Sequence, residues 1–231
     1  MRMDAYGTLR RDSASRDRTI MRDKIKKLTE DLLIRDGYAG FRFQDLAELL
    51  SVTRASIHYH FASKQSLCEE VILEGIADGT QTYEKLLMQG DGDFASRVRG
   101  VIKLNRGRYL QYNPEGNTGK PWALISRIRL EQDLLSPSIH KALVVFRGSL
   151  ENSMQQCIRM AIERGELRAE TPVKQLALLF VAIVNSSDAT TRDSMSFQKL
   201  RQLYMSFLEV TLAAYGTADR KSSDGLAPDQ D

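Results

Sequence analysis

Gly37-Tyr38-Ala39-Gly40-Phe41-Arg42-Phe43-Gln44-Asp45-Leu46-Ala47-Glu48-Leu49-Leu50-Ser51-Val52-Thr53-Arg54-Ala55-Ser56-Ile57-His58-Tyr59-His60-Phe61-Ala62-Ser63-Lys64-Gln65-Ser66-Leu67 is the stretch that decides the fold. Leu46, Ala47 and Leu50 fall three and four apart, which gives a short helix one apolar face; after Ser51-Val52 the pattern restarts with Ile57 and Phe61. Two short helices about a tight turn are the layout of a helix-turn-helix, whose second helix lies in the major groove of DNA with its N-terminal side chains at base edges. Thr53, Arg54, Ser56, His58, Tyr59 and His60 surround the inward Ile57. An idle surface helix is also polar outside, but it would more often carry Glu/Lys pairs than this blend of aromatic, imidazole and hydroxyl groups with Arg54 and Lys64.

The 231-residue chain is long enough for a sizeable core, and 42% apolar residues make it globular. No run of 18 apolar residues occurs and the first 18 residues are polar and charged, so the expected place is the cytoplasm, away from any membrane. Net charge is +3, yet residues 1–66 hold 13 Lys/Arg against 9 Asp/Glu, leaving 20 against 21 for the rest. The excess of cations therefore sits with the reader, as phosphate contact requires. Cys68 and Cys157 match no metal or redox spacing and read as reduced, structural thiols.

Taken in order, residues 1–15 lack apolar periodicity and read as a flexible arm in which Arg10, Arg11, Arg16 and Arg18 are solvated or follow a DNA backbone. Ile25, Leu28, Leu32 and Leu33 mark a helix over 16–36, stopped by Gly37. The reader then spans 16–66, and a helical body spans 67–215. Ser63 caps the next helix, which runs to Gln89; Gly90-Asp91-Gly92-Asp93 breaks it, and another helix covers 94–112. Residues 113–121, rich in Gly, Pro and Asn, must be a loop. Helices are predicted over 122–134, 138–164, 173–188 and 197–215, and 216–231 read as a disordered tail. The fold class is all-α.

Residues 20–67 resemble the DNA-binding domain of the TetR family of bacterial transcriptional regulators. The resemblance is carried by a first helix ending in Gly37-Tyr38, then Asp45-Leu46-Ala47, Val52, Ile57, Tyr59-His60-Phe61, Ser63-Lys64 and Leu67. Three positions depart from the family pattern. Phe41-Arg42-Phe43 replaces the hydroxyl residue at the start of the second helix, Ser51 stands for the turn glycine at a strain of roughly 1 kcal/mol, and His58-Tyr59 replaces the usual Tyr. The resemblance implies that Gln44, Thr53, Arg54, Ala55 and His58 face base edges while Arg42, Ser56, Tyr59, His60 and Lys64 hold phosphates.

One recognition helix buries too little surface for tight binding, so a homodimer on a palindromic double-stranded operator is expected, with heads about 34–36 Å apart. Leu176, Phe180, Ile183, Leu203 and Phe207 on the last two helices are the candidates for the seam, or else fill the monomer core; the family pairs these helices in a four-helix bundle. The family also keeps a small-molecule pocket in the body. Here Trp122, predicted to share a helix with Arg127 and Arg129, is the candidate lining residue. The two arginines either meet an anionic effector or pair on the surface with Glu131 and Asp133.

No chemistry of another kind is indicated. Residues two apart on a helix point about 200° away from each other, so His58 and His60 cannot share a metal, and His140 has no partner in sequence. There is no phosphate loop, nucleophile elbow or His-Glu-x-x-His, so no catalytic residues and no cofactor are expected. The expected function is a repressor released from DNA by a small molecule. The alternative is a helical ligand-binding or protein-interaction module without DNA binding.

Overall fold

The computed structural model describes residues 5–217; the tail expected over 216–231 lies, beyond Thr217, outside the described residues. α1 (Ala5–Gly40) starts eleven residues ahead of the helix predicted from residue 16, so the segment expected as an arm is helical from Ala5. Periodicity reports a packed face, and a helix can extend past the face it packs. At Gly37 (φ 76, ψ 177) the helix kinks, in a backbone region that a side chain would strain.

α2 (Phe43–Leu50) and α3 (Arg54–His60) follow. Leu46, Ala47, Ile57 and Phe61 turn inward against Ile25, Leu33 and Phe41, each under a tenth exposed. Ser51 takes the left-handed conformation (φ 54, ψ 41) that the turn demands, and α2 starts at Arg42 without a side-chain cap. Thr53 caps α3 by accepting from the Ser56 N–H, and Ser63 with Ser66 forms a capping box on α4 (Lys64–Met88).

α4 joins reader to body. Towards the reader, Arg22–Glu70 (2.5 Å) and Lys26–Glu74 (2.9 Å) zip it to α1. Within the body it packs along α7 (Pro137–Glu163), α7 on α8 (Val173–Asp193), and α8 on α9 (Gln198–Tyr215). The turn into α5 (Phe94–Tyr112) is held by the buried Arg97 guanidinium, which donates to the carbonyls of Leu87, Gln89, Gly90 and Gly92. In the loop after α5, buried Asn113 does similar work: its amide accepts from Lys120 N–H and Thr118 Oγ1 and donates to the Lys120 carbonyl.

Two predicted helices differ. Trp122 lies in an extended segment ahead of a shorter α6 (Leu124–Arg129), with a 3-10 turn at Gln132–Leu134. It is drawn onto α8 instead, where its backbone N–H donates to Asp188 Oδ1 (3.1 Å) and its Nε1 to Thr191 Oγ1 (2.8 Å). Those same polar residues face inward on α8, which is why the helix runs five residues beyond its apolar stripe. Among the described residues no helix is long and apolar enough to cross a membrane.

Candidate nucleic-acid interface and the cavity behind it

With Ile57 fully buried, the other side of α3 must face out. Arg42, Gln44, Thr53, Arg54, Ala55, His58 and Tyr59 are exposed, and Ser56, His60 and Lys64 are half-buried, so solvent reaches all ten sequence-predicted residues. Arg54 has no ion pair among the described residues. The Thr53 hydroxyl is engaged as a cap, and Gln44 Nε2 donates to Glu48 Oε1 (2.7 Å), one helical turn on. His58 leans on Phe43 (ring centroids 5.0 Å apart) while His60 packs edge-on to Tyr59 (5.3 Å). Among the described residues no cluster of three metal-ligating side chains exists.

α1 supplies two residues that the motif did not mark. Arg18, expected in a solvated arm, lies 5.8 Å over the Tyr59 ring and donates to its hydroxyl (3.4 Å). Arg22 donates to the His60 carbonyl (2.7 Å) at the C-terminal end of α3 and covers Phe61 at 4.1 Å. Burial, with these two cations beside it, lowers the pKa of His60. Their four-residue spacing was the available signal; what it faced was not. Lys64 Nζ sits 4.8 Å over Tyr38, holding an ammonium at the start of α4 beside the reader face.

Behind the reader, α6 grips the end of α1. Arg127 Nη2 donates to the Asp36 carbonyl (3.1 Å) and pairs with Glu131 (3.1 Å), whose other oxygen accepts the Ala39 N–H (2.9 Å). Gly37 leaves room for this clamp: a Cβ there would stand 2.0 Å from Glu131 Oε1. Arg127, expected at the ligand, is therefore a structural link between reader and body.

Beside the clamp, α1, α4, α5, α6, α7 and α8 line a cavity of about 120 Å³. Trp122 and Arg129 line it, as expected; Tyr83, Asn105, Phe146 and Asn185 were not foreseen. They come from α4, α5, α7 and α8, too far apart in sequence for any local pattern to unite them. Buried Cys68 and Cys157 have thiols pushed up to about 12 by burial, which makes them poor nucleophiles.

The expected seam needs correction. Leu176, Phe180 and Phe207 are buried in the monomer core, Phe180 stacking on Tyr204 and Phe207, so they have no face left for a partner. Ile183 is half-buried and Leu203 exposed. What α8 and α9 do show outward is Leu178 and Leu179, both more than half exposed, with Leu203 and Val210. The stripe on α8 is wide enough to serve two neighbours, and for Leu176, Phe180 and Phe207 the alternative of filling the monomer core holds.

A family model described as bacterial regulatory proteins, tetR family, matches residues 25–71, and one described as tetracyclin repressor-like, C-terminal domain, matches residues 124–203. The chain is 36% identical over 52 residues to the biofilm operon icaADBC HTH-type negative transcriptional regulator IcaR of Staphylococcus aureus; the match takes in 22% of this chain and spans only 28% of IcaR. A TetR-family regulator from Agrobacterium tumefaciens superposes with a TM-score of 0.72 at 20% identity, over 84% of this chain and 98% of that one. One from Chloroflexus aurantiacus gives 0.72 at 18%, over 88% and 100%, and reduced Escherichia coli NemR gives 0.67 at 18%, over 81% and 95%. At these identities the structures speak for the fold.

Proposed function

We propose that this chain, which belongs to the TetR family of bacterial regulatory proteins, is a cytoplasmic DNA-binding repressor that reads a palindromic operator as a homodimer and leaves it when a small molecule fills the body cavity. The observation that carries the proposal is the reader face: Ile57 is wholly buried, while the ten predicted residues from Arg42 to Lys64, nine of them polar or charged, are exposed or half-buried. Arg54 suits a two-bond contact to guanine, worth about 1–3 kcal/mol of discrimination, whereas Lys64 and Arg42 suit phosphates. Arg18 and Arg22 position Tyr59 and the end of α3.

Twofold pairing would bury Leu178, Leu179, Leu203 and Val210, apolar surface that a monomer leaves in water. Release would run through the clamp. Cavity and clamp share α6, so a ligand that shifts Arg129 also shifts Arg127 and Glu131, and with them the C-terminal end of α1. By linkage, a ligand that favours the DNA-incompetent arrangement must weaken operator binding by the factor by which DNA weakens the ligand, typically worth 1–3 kcal/mol.

The test is a gel shift with duplex from upstream of the chain's own coding sequence, against random duplex, at two salt concentrations. Tighter retardation of the upstream duplex, falling steeply with salt, is the expected result. Equal retardation of both duplexes, or none, would leave a ligand-binding module without DNA reading.

A further inference from the structure

Resting on the effector site proposed above, we infer that the cavity takes a small organic carboxylate, one ring or a short aliphatic body in size, with the Arg129 guanidinium as its counter-ion. Arg129 projects from the last turn of α6 into the cavity wall, where its Nη1 donates to Asn185 Oδ1 on α8 and its guanidinium lies 5.7 Å over the Phe146 ring. Among the described residues no carboxylate pairs with it. The charged group that acts on it is Arg147, a second cation; burial first, and Arg147 after it, lower the Arg129 pKa. A half-buried cation with a second cation acting on it is stabilised when an anion joins it.

The other charges around the cavity already have partners. Lys27 pairs with Glu30 (3.1 Å), and Arg108 with Asp78 (3.4 Å). One negative charge is what the site lacks. Its place is beside Arg129, whose planar fork matches two carboxylate oxygens.

The remaining wall favours an organic acid over an inorganic anion. Trp122, Leu124, Phe146 and Val184 are apolar or aromatic surface. The Asn105 amide is partly engaged: its Oδ1 accepts from Tyr83 and one of its N–H groups donates to Tyr204 Oη (2.8 Å). Phosphate has no apolar body to cover the Trp122, Leu124 and Phe146 surface, which an organic acid would bury. As to size, an apolar cavity of about 150 Å³ admits a benzene ring, and this one is about 120 Å³.

The test titrates the full chain with benzoate, benzamide and inorganic phosphate, following the emission of Trp122, the one tryptophan, and the thermal unfolding midpoint. Benzoate should give a saturable change in both and bind at least tenfold more tightly than benzamide, which has the same ring without the charge; phosphate should give neither response. In Arg129→Gln the tenfold preference should vanish while benzamide binding persists. Should that variant not fold, the benzoate-to-benzamide ratio of the unaltered chain decides alone. Equal binding of the two, a preference that survives Arg129→Gln, phosphate acting as well as benzoate, or no saturable response at millimolar benzoate would each overturn the assignment. The gel shift contains no acid, so a chain that binds its operator and ignores benzoate loses this inference only. One that binds benzoate and no DNA loses the regulator proposal only.

Discussion

The reader and the α8–α9 pair put their apolar side chains to different uses. In the reader, Ile57, Leu46 and Phe41 complete a small core, and although Ile20 and Leu49 stay exposed, the outer face of α3 is polar and cationic. In the pair, Phe180 and Tyr204 complete the core, yet Leu178, Leu179, Leu203 and Val210 remain in water. One region presents mainly hydrogen-bonding groups, as a charged, grooved polymer requires. The other keeps apolar area in hand, as a protein partner requires. The proposed pairing before reading needs both.

That contrast breaks first at Ile57. Ile57→Ala should cost about 2–5 kcal/mol in the reader, seen as an early transition in urea denaturation, with loss of operator binding, while sedimentation still reports a dimer. A chain that keeps its DNA affinity would mean that α3 is not braced by its buried residue. From the other side, Leu179→Glu with Val210→Glu should yield a folded monomer in sedimentation equilibrium and an operator affinity at least a hundredfold lower, about 3 kcal/mol. Random duplex, needing no second head, should lose less.

Within the reader itself, Arg54→Ala should lower affinity for the operator by about 1–3 kcal/mol and barely change binding to random duplex. Lys64→Ala should weaken both alike and reduce the slope of log affinity against log salt by about one, read from gel shifts across a salt series. The smallest effect sharpens the account of the turn: Ser51→Gly should raise the reader's stability by about 1 kcal/mol, because glycine accepts the observed φ of 54° without strain. A destabilised variant would show that the Ser51 side chain contributes more than its backbone costs.

The strained turn was legible because the reader's geometry is local. A short helix, a left-handed residue and a second helix follow one another within some twenty residues, and the alternatives at Ser51 and at the uncapped Arg42 could be named in advance. Ser63 as the cap of α4 is equally short-range, whereas Thr53, expected at base edges, has its hydroxyl engaged in capping α3. The body was less legible for the opposite reason. Periodicity tells which face of a helix is apolar, but a stripe broad enough for two neighbours looks the same whichever one covers it. Leu176, Phe180 and Phe207 were thus placed on a seam when they fill the core. Of the two readings of Arg127, the ion pair with Glu131 holds, while its bond to the Asp36 carbonyl, 91 residues away on α1, lay beyond any local pattern.

Taken alone, the sequence determined the all-helical class, the reader with its outward residues, and the loops at 90–93 and 113–121, since each depends on backbone preferences and spacings within a few turns of chain. Only the tertiary structure decided that Trp122 leaves its helix for α8, that Arg127 clamps reader to body, that Arg129 is left against a cavity without an anion, and which leucines stay in water. Those outcomes depend on which distant surfaces meet, and burial is a property of the meeting.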